Sequence, residues 1–309
     1  RDDTPLTQEA VLTDPHPLGG GICLPTELTP YSREELSKLL TRDSGEILET
    51  ILHRFMDGGF TAWDIRFCIG KEPVRLDRLG RSSALAGCWY NSGRCFDRFL
   101  TDLGRLLLPA AEDIRETWVE LAVRTAFLFA SVGEAAKQGI LPEERISLAM
   151  SAGNFFAPVS AFLAKAMGLP VEKILCGTFE NEYLWKLLHY GALETGGLTQ
   201  SRGESPVPAG LEAMISLMGG REETLRYLSC VHHGTLYQPE QRLLERMRQE
   251  LDVAVLSRER TDMVIAGAMG TYALALSPET ALAFGAWQDH QSSGGGRCPC
   301  LVLSQQAAE

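Results

Sequence analysis

Apolar residues at helical spacing recur along the first half of the chain. A stripe from Ile47 to Met56 places apolar side chains three or four residues apart and stops at a pair of glycines, the ending that is typical of a helix. The segment Ser32-Arg-Glu-Glu35 has the capping-box pattern ahead of a leucine-rich stretch. Further stripes predict a helix over Phe96 to Leu107 and a long helix from about Glu112 to Gln138.

The spacing of apolar residues changes in the middle of the chain. Ile146 to Met150 is a short apolar run that leads into the turn Ser151-Ala-Gly-Asn154. A helical pattern follows over Val159 to Ala166, then a second apolar run over Lys173 to Gly177, then a second helical pattern over Glu182 to Tyr190. Strand, helix, strand and helix at this spacing predict a βαβ unit, because parallel strands need a crossover connection.

Two later apolar runs, Val253 to Leu256 and Leu301 to Leu303, predict further strands separated by helices. Short continuous apolar runs are typical of strands that are covered on both faces. We therefore predict an α/β fold with three layers, α/β/α, around a mostly parallel sheet. The stretch from Gly196 to Pro208, rich in Gly, Ser and Pro, predicts an exposed loop or lid, and Ser292 to Gly296 a connection.

Composition excludes several classes of protein. The chain has 309 residues, 45% of them hydrophobic, and a formal net charge of −11. The apolar fraction is that of a globular protein, and the acidic balance argues against a nucleic-acid partner. The most apolar stretch, Leu121 to Ala136, is interrupted by Arg124 and Glu134 and is too short to span a bilayer. We expect a cytoplasmic protein with no membrane partner.

Isolated residues that could carry chemistry give weak signals. The eight cysteines lack zinc-like spacing, and Cys298-Pro-Cys300 is best explained as thiols that enter a final strand. Adjacent residues rarely chelate one ion, so His232-His233 is better explained as a surface or core pair. Trp89-Tyr90 is better explained by packing than by a stacking platform. The run from Arg242 to Arg248 is typical of a solvated helix face. No serine-hydrolase elbow occurs in the sequence.

The motif Ser151-Ala-Gly-Asn-Phe-Phe156 offers a candidate binding site. A strand that runs into a glycine-containing turn and then a helix directs backbone N–H groups and the positive helix end outward, which suits an anion. Ser151, Gly153, Asn154 and Phe155 are the candidate donors. On this pattern alone, an ordinary strand-to-helix turn is the favoured interpretation.

A longer stretch of sequence around this motif resembles a known family and changes its interpretation. Residues 151–170 resemble the threonine synthase segment that reads roughly SGNFGDILAGYYAKKMGLP, and residues 174–184 are similar to the ATNENDVL segment of that family. The segment Gly19 to Pro25 resembles the family's DGGLYVP, Leu276 to Ala281 its LDPHTA, and Leu301 to Ser304 its closing strand. The similarity is collinear, strong over residues 146–190 and weaker elsewhere.

The resemblance implies the fold of the tryptophan-synthase-β-like, fold type II enzymes that use pyridoxal phosphate (PLP). It implies, for an intact member, a PLP-dependent lyase of amino-acid biosynthesis that converts O-phosphohomoserine to threonine. That chemistry needs a Schiff-base lysine. The lysine of the family's AFKD motif falls on Asp97 here, and a shift of one residue gives Phe96 or Arg98. The six lysines are Lys38, Lys71, Lys137, Lys165, Lys173 and Lys186.

Other family features are also missing. After Leu108 the chain passes almost directly to the segment similar to NSINWARVL, so the resemblance implies that most of the small cofactor subdomain is deleted. The second glycine of the phosphate loop is Phe156, and the threonine that would face the pyridine nitrogen is Gln305. We expect an N-terminal segment over residues 1–75 and an α/β core over residues 76–309.

Three hypotheses follow. The first is a pseudoenzyme or binding protein with no covalent cofactor, in which PLP, phosphate, sulfate or a phosphate-bearing small molecule occupies the loop of Ser151, Gly153, Asn154 and Phe155. The second is an active PLP lyase in which another lysine, with Lys71 the least implausible, reaches the site. The third is a homo-oligomer or a complex with a homologue, since large exposed apolar surfaces are uncommon on monomers.

Overall fold

The fold was determined as a computed structural model. It describes residues 5–13, 22–70, 74–90, 93–94, 96–109, 114–140, 145–179, 183–195, 209–295 and 298–304. The predicted loop over 196–208, Lys71 and Gln305 lie outside these described residues, as do the side chains of Trp89 and Tyr90. None of the helices in the described ranges has the length and apolar character needed to cross a bilayer.

The described residues form twelve α-helices, and those at the predicted stripes lie between residues 33 and 52, 96 and 137, and 156 and 190. The twelve helices are α1 (Gln8–Thr13), α2 (Arg33–Leu40), α3 (Ser44–Leu52), α4 (Ala62–Ile69), α5 (Phe96–Leu107), α6 (Trp118–Lys137), α7 (Phe156–Ala166), α8 (Tyr183–Tyr190), α9 (Ala209–His233), α10 (Gln241–Glu250), α11 (Arg258–Tyr272) and α12 (Pro278–His290). The predicted capping box is confirmed, because the Glu35 N–H donates to Ser32 Oγ and the Ser32 N–H donates to the Glu35 carboxylate. Helix α9 is kinked at Gly220.

The strands are β1 (Val74–Arg78), β2 (Ser83–Tyr90), β3 (Gly93–Arg94), β4 (Ile146–Ser151), β5 (Val171–Phe179), β6 (Leu193–Glu194), β7 (Leu236–Tyr237), β8 (Leu251–Leu256) and β9 (Cys300–Leu303). The main sheet has the order β1-β2-β9-β4-β5-β8. Strand β1 runs antiparallel to β2, and the other pairs along this order are parallel. The predicted mostly parallel sheet is confirmed.

The central βαβ unit is the one that the sequence predicts. Every residue of β4 is buried, so its apolar run has no polar alternation. Helix α7 connects β4 to β5, which pairs with it in parallel register, with Leu148 opposite Ile174 and Ser151 opposite Gly177. The carboxyl end of β4 therefore lies beside the carboxyl end of β5.

Side chains alternate between two cores on opposite faces of the sheet. In β4, Leu148 and Met150 belong to one apolar cluster and Ala149 to the other. Helices α5, α6 and α7 pack into the first cluster, whereas α11 and α12 pack into the second. The predicted α/β/α layering is confirmed.

Three boundaries differ from the prediction. Helix α6 begins at Trp118 rather than near Glu112, because the Thr117 hydroxyl caps it by accepting from the Val119 N–H. Helix α3 ends at Leu52, so the last apolar residues of that stripe pack as a turn after the helix. The connection predicted over 292–296 begins as a π-helical turn, Gln291–Gly295, that continues α12.

Candidate functional site

The turn between β4 and α7 is held by left-handed backbone at two positions. Gly153 has φ of +42° and Phe155 has φ of +71°, a region that residues with a side chain rarely adopt. The Ala152 N–H donates to Gly177 O at 2.9 Å and ties the turn to β5. Phe155 is fully buried, so packing of its ring holds it in this conformation.

Several amides of the turn bond within the turn itself. The Phe155 N–H donates to Ala152 O at 2.8 Å, and the Phe156 N–H donates to Asn154 Oδ1 at 3.3 Å. Ser151 is buried and paired in the sheet with Gly177. Of the four predicted anion donors, Gly153 and Asn154 are the ones whose amides bond to no other described residue.

The start of α9 covers this turn. A Cβ atom on Gly210 would lie 2.4 Å from Asn154 O and 2.8 Å from Phe155 Cβ, closer than non-bonded atoms approach. Only glycine allows α9 to begin against the turn at this distance. Asn154 and Phe155 of the predicted anion loop therefore pack against a helix, whereas Gly153 stays exposed.

A small pocket lies beside the turn, at the carboxyl end of β9. It is lined by Phe96, Arg124, Phe127, Leu128, Ala157, Ser160, Leu303 and Ser304. The cavity volume is about 10 Å³, roughly the space that one water molecule needs. The rings of Phe96 and Phe127 pack edge to face, with centroids 5.3 Å apart, and they fill much of the space between α5 and α6.

A buried ion pair forms one wall of the pocket. Arg124 Nε donates to Glu120 Oε1 at 2.7 Å, and the side chains of Arg124 and Glu120 are 14% and 1% exposed. Glu120 Oε2 accepts from the Glu116 N–H at 2.8 Å, which holds Glu116 at a φ of +58°. The Arg124 guanidinium lies over the Phe96 ring, 4.6 Å from its centroid.

Phe96, rather than Asp97, faces the pocket. Asp97 is exposed in the first turn of α5, where a carboxylate interacts favourably with the helix dipole. Phe96 is buried and lines the pocket. Of the three positions that the family comparison leaves for the lysine, Phe96 is the one whose side chain lines this pocket.

The described lysines lie away from the pocket. Lys38 pairs with Glu34, Lys137 with Glu134 and Lys165 with Glu250, and Lys173 donates to backbone carbonyls near the end of α10. Lys186 lies half-buried on α8. None of these five described lysines lines the pocket.

The other candidates lie away from this site. His232 and His233 are exposed at the end of α9, and the described residues contain no group of three side chains that could hold a metal ion. Cys300 is buried where β9 begins, as predicted, and burial raises the pKa of its thiol. Arg242 and Arg248 are exposed, as expected for a solvated helix face.

Sequence reasoning did not identify Arg124 as a site residue. Its signal was visible: a single arginine four residues after Glu120 in the mainly apolar first half of the helix. Charged side chains are rarely buried unless they are paired. An arginine and a glutamate four residues apart on a buried helix therefore indicate an ion pair. The contribution of Ser304 and Phe96 to the same pocket depends on the tertiary fold.

The chain has the fold of the threonine synthases, PLP enzymes of fold type II. PLP-bound threonine synthase from Brucella melitensis superimposes with a TM-score of 0.79 at 15% identity, over 98% of this chain and 87% of that one. The yeast threonine synthase gives a TM-score of 0.74 at 13% identity, over 97% of this chain and 84% of that one. At these identities the likeness concerns the fold.

In sequence, the chain is similar to proteins named threonine synthase-like 1. The Pongo abelii protein is 24% identical over 245 residues, 74% of this chain and 32% of that protein. The Homo sapiens protein is 24% identical over 199 residues, 61% of this chain and 26% of that protein. The chain thus matches about a third or less of the length of these relatives. No family model matches the sequence.

Proposed function

We propose that this chain is a threonine-synthase-like protein that performs no PLP-dependent catalysis and acts by binding a small anion. The observation that carries the proposal is the composition of the pocket: phenylalanine and arginine, rather than lysine, line the pocket beside the predicted cofactor loop. A Schiff base needs a primary amine, and neither Phe96 nor the neighbouring Asp97 provides one.

The residues of the pocket do not fit PLP. A cavity of about 10 Å³ is far below the several hundred Å³ that ligand sites occupy. The Phe96 and Phe127 rings and the ion pair of Glu120 and Arg124 take up the space. The cofactor phosphate would also find the Phe155 and Phe156 amides already bonded within the turn.

The turn supports a simpler role in anion binding. The amides of Gly153 and Asn154 lie next to the amino end of α7, where a negative charge is favoured. Phosphate, sulfate or a phosphate-bearing small molecule suits this position. We also propose that the chain associates with itself or with a homologue, because a protein without catalytic activity functions by binding.

The decisive experiment is covalent trapping of PLP. Purified protein is incubated with PLP, examined for a visible aldimine band, reduced with borohydride and digested for mass spectrometry. We expect no stoichiometric pyridoxyl-lysine, and an authentic threonine synthase treated in parallel provides the positive control. Full labelling of a single lysine would overturn the proposal.

The trapping experiment also tests the competing hypothesis of an active lyase. Lys71 lies outside the described residues, so it is the lysine to examine first in the digest. Labelling that disappears in the Lys71→Ala variant, together with phosphate release from O-phosphohomoserine by the unmodified protein, would favour the active enzyme. Under our proposal Lys71 is not labelled stoichiometrically, and phosphate release does not exceed that of a no-protein control.

A further inference from the structure

The main sheet ends in an open edge at β8. This strand is the last in the order β1-β2-β9-β4-β5-β8, and it pairs with β5 along its whole length, from Leu251 to Leu256. On the other side of β8, no strand or loop among the described residues bonds to its backbone. Such an edge presents a row of N–H and C=O groups that can pair with a further strand.

The two edges of the sheet differ in their protection against pairing. At the opposite edge, β1 carries three charged side chains among five residues, and its Arg78 donates to Gln138 O beyond the end of α6. Strand β8 has one charged residue, Asp252, and contains neither lysine nor proline. Charged side chains, lysine above all, and proline are the usual means by which an edge strand avoids a partner. Strand β8 is therefore the edge that is free to pair.

The middle of β8 is only partly covered. Val253, Ala254 and Val255 are half-buried, whereas the two end residues are buried. Val255 belongs to neither of the two apolar clusters of the core. Valine favours a pleated, half-buried surface, so this stretch has the composition of a strand with a neighbour on each side.

The outer face of α11 adds exposed apolar side chains. This helix begins two residues after β8 ends, and it packs into the same core cluster as Ala254. Met263 and Met269 point away from that cluster and are 73% and 51% exposed. A specific interface buries about 1,200–2,000 Å², more than six-residue strands supply, and this face can provide further area.

The sequence of β8 is suited to pairing with a second copy of itself. It reads Val-Ala-Val around Ala254, so an antiparallel register centred on Ala254 places Val253 opposite Val255 twice. Cross-strand pairs of apolar β-branched residues stabilise a sheet. In this register the exposed Arg258 of the second copy is the diagonal neighbour of the exposed Asp252, close enough for opposite charges to attract. Two-fold symmetry forms this contact twice, which favours a second copy over an unrelated strand.

We propose that β8 is the interface of a homodimer, in which two copies pair antiparallel about Ala254 and join their sheets into one. A two-fold axis perpendicular to the sheet keeps both α11 helices on the same side of the joined sheet. The proposal rests on the self-association included in the proposed function and gives it a surface. Pairing uses up the free edge, so association stops at two copies.

Sedimentation velocity of the full chain at increasing concentration measures this association. We expect a reversible equilibrium between monomer and dimer, with no larger species. Val255→Lys puts an ammonium group against the apolar cross-strand pair, so the dissociation constant of the dimer should rise about tenfold or more. Phe67→Lys is the matched control, because Phe67 on α4 is 78% exposed, and it should leave the dimer unchanged. Circular dichroism establishes that both variants are folded.

Disulfide cross-linking tests the register without a charge in the strand. Residues directly opposite each other in an antiparallel pair have Cα atoms about 4.5–5.5 Å apart, a distance that a disulfide spans. Ala254→Cys should therefore form a covalent dimer under mild oxidation. The unmodified chain, with its own eight cysteines, gives the background. Glu34→Cys, at a side chain of α2 that is 79% exposed, is the matched control and should not exceed that background.

Three outcomes would overturn the proposal: a monomer at every concentration, unchanged affinity in the folded Val255→Lys variant, or no cross-linking of Ala254→Cys above the background. Unchanged affinity in the folded variant would remove this surface and leave self-association standing, whereas a monomer at every concentration would remove both. The PLP trapping experiment answers a different question, so the loss of catalysis can stand or fail independently.

Discussion

At the scale of single residues, the path of the backbone near the site depends on very close approaches. A Cβ atom on Gly177 would lie 2.0 Å from Leu282 O in α12, so this helix rests directly on the backbone of β5. Because the Ala152 N–H donates to Gly177 O, the same residue also anchors the turn before α7. A displacement of α12 would therefore also shift the turn at the candidate site.

Gly177→Ala should destabilise the protein. The new methyl group meets a backbone carbonyl, which cannot move aside without shifting α12, and overpacking of this kind costs about 1–3 kcal/mol. The measurement is the free energy of unfolding from urea titration. Gly267→Ala is the matched control, since nothing lies within 4 Å of a Cβ atom there, and it should stabilise the helix by about 0.5–1 kcal/mol. Equal effects of the two changes would refute the close approach.

At the scale of elements, side chains at the amino ends fix where helices begin. Asp43 caps α3 by accepting from the Gly45 and Glu46 N–H groups at 2.9 and 3.2 Å, and it pairs with Arg66 of α4 at 2.5 Å. Partial burial raises the pKa of Asp43, but the bonds from Arg66 and the helix amides outweigh it, so the pKa lies below its usual 3.8. One carboxylate therefore links two helices.

The Asp43 cap predicts a specific pH dependence. A lowered pKa means that the folded state binds fewer protons than the unfolded chain, so the stabilisation is present above pH 3.8 and is lost as the pH falls through the lower folded value. Asp43→Ala should cost about 1 kcal/mol at pH 7, and Asp43→Asn less, because an asparagine side chain also caps.

Urea titrations at several pH values check this dependence. The difference in the free energy of unfolding between the unmodified protein and the Asp43→Asn variant should shrink as the pH falls below 3.8, because only the carboxylate can be protonated. A difference that stays constant with pH would contradict the role of the charged cap.

Contact between α9 and the turn provides a second prediction for elements. Gly210→Ala places a methyl group against Asn154 O and Phe155 Cβ, so α9 must move off the turn. We expect a loss of about 1–3 kcal/mol and faster hydrogen exchange at residues 151–160. Gly270→Ala, where a Cβ atom would meet open space, should leave exchange at these residues unchanged. Normal exchange in the Gly210 variant would show that the contact does not hold the turn.

At the scale of the whole molecule, the N-terminal helices and the sheet share one core. Ile47, Leu48 and Ile51 of α3 are fully buried in the same cluster as α6 and the inner face of β4. Tyr31 packs edge to face on Phe129 of α6, with centroids 6.0 Å apart, and its N–H donates to Met167 O at 2.9 Å. Removal of the N-terminal segment would expose much of α6.

We therefore expect one cooperative unfolding transition. Urea unfolding followed by far-UV circular dichroism and by tryptophan fluorescence should give coincident curves, since Trp63 reports on α4 and Trp118 on α6. The fragment 76–309 should not fold alone, because the surface that α3 covers becomes exposed. Two separate unfolding transitions, or a fragment 76–309 that has tertiary structure on its own, would show that residues 1–75 and 76–309 are independent domains.

Much of the fold was predictable because its signals are local. Helix stripes, the capping box at Ser32 and the run of apolar residues in β4 depend on neighbours a few residues away. The same holds for the turn at Gly153, although no local pattern indicated that Phe155 adopts a left-handed φ. That conformation persists because the buried ring packs against its surroundings.

The sequence by itself determined helices α2, α3 and α5 to α8, the central βαβ unit, the α/β class and the lack of a lysine where the family comparison expects one. Only the tertiary structure decided that the last strand, β9, lies between β2 and β4, and that Phe96 rather than Asp97 faces the pocket. It also decided that Phe96, Arg124 and Ser304 meet there. The physical reason is that periodicity reports local geometry, whereas strand order and pocket lining follow from packing between residues far apart in the chain.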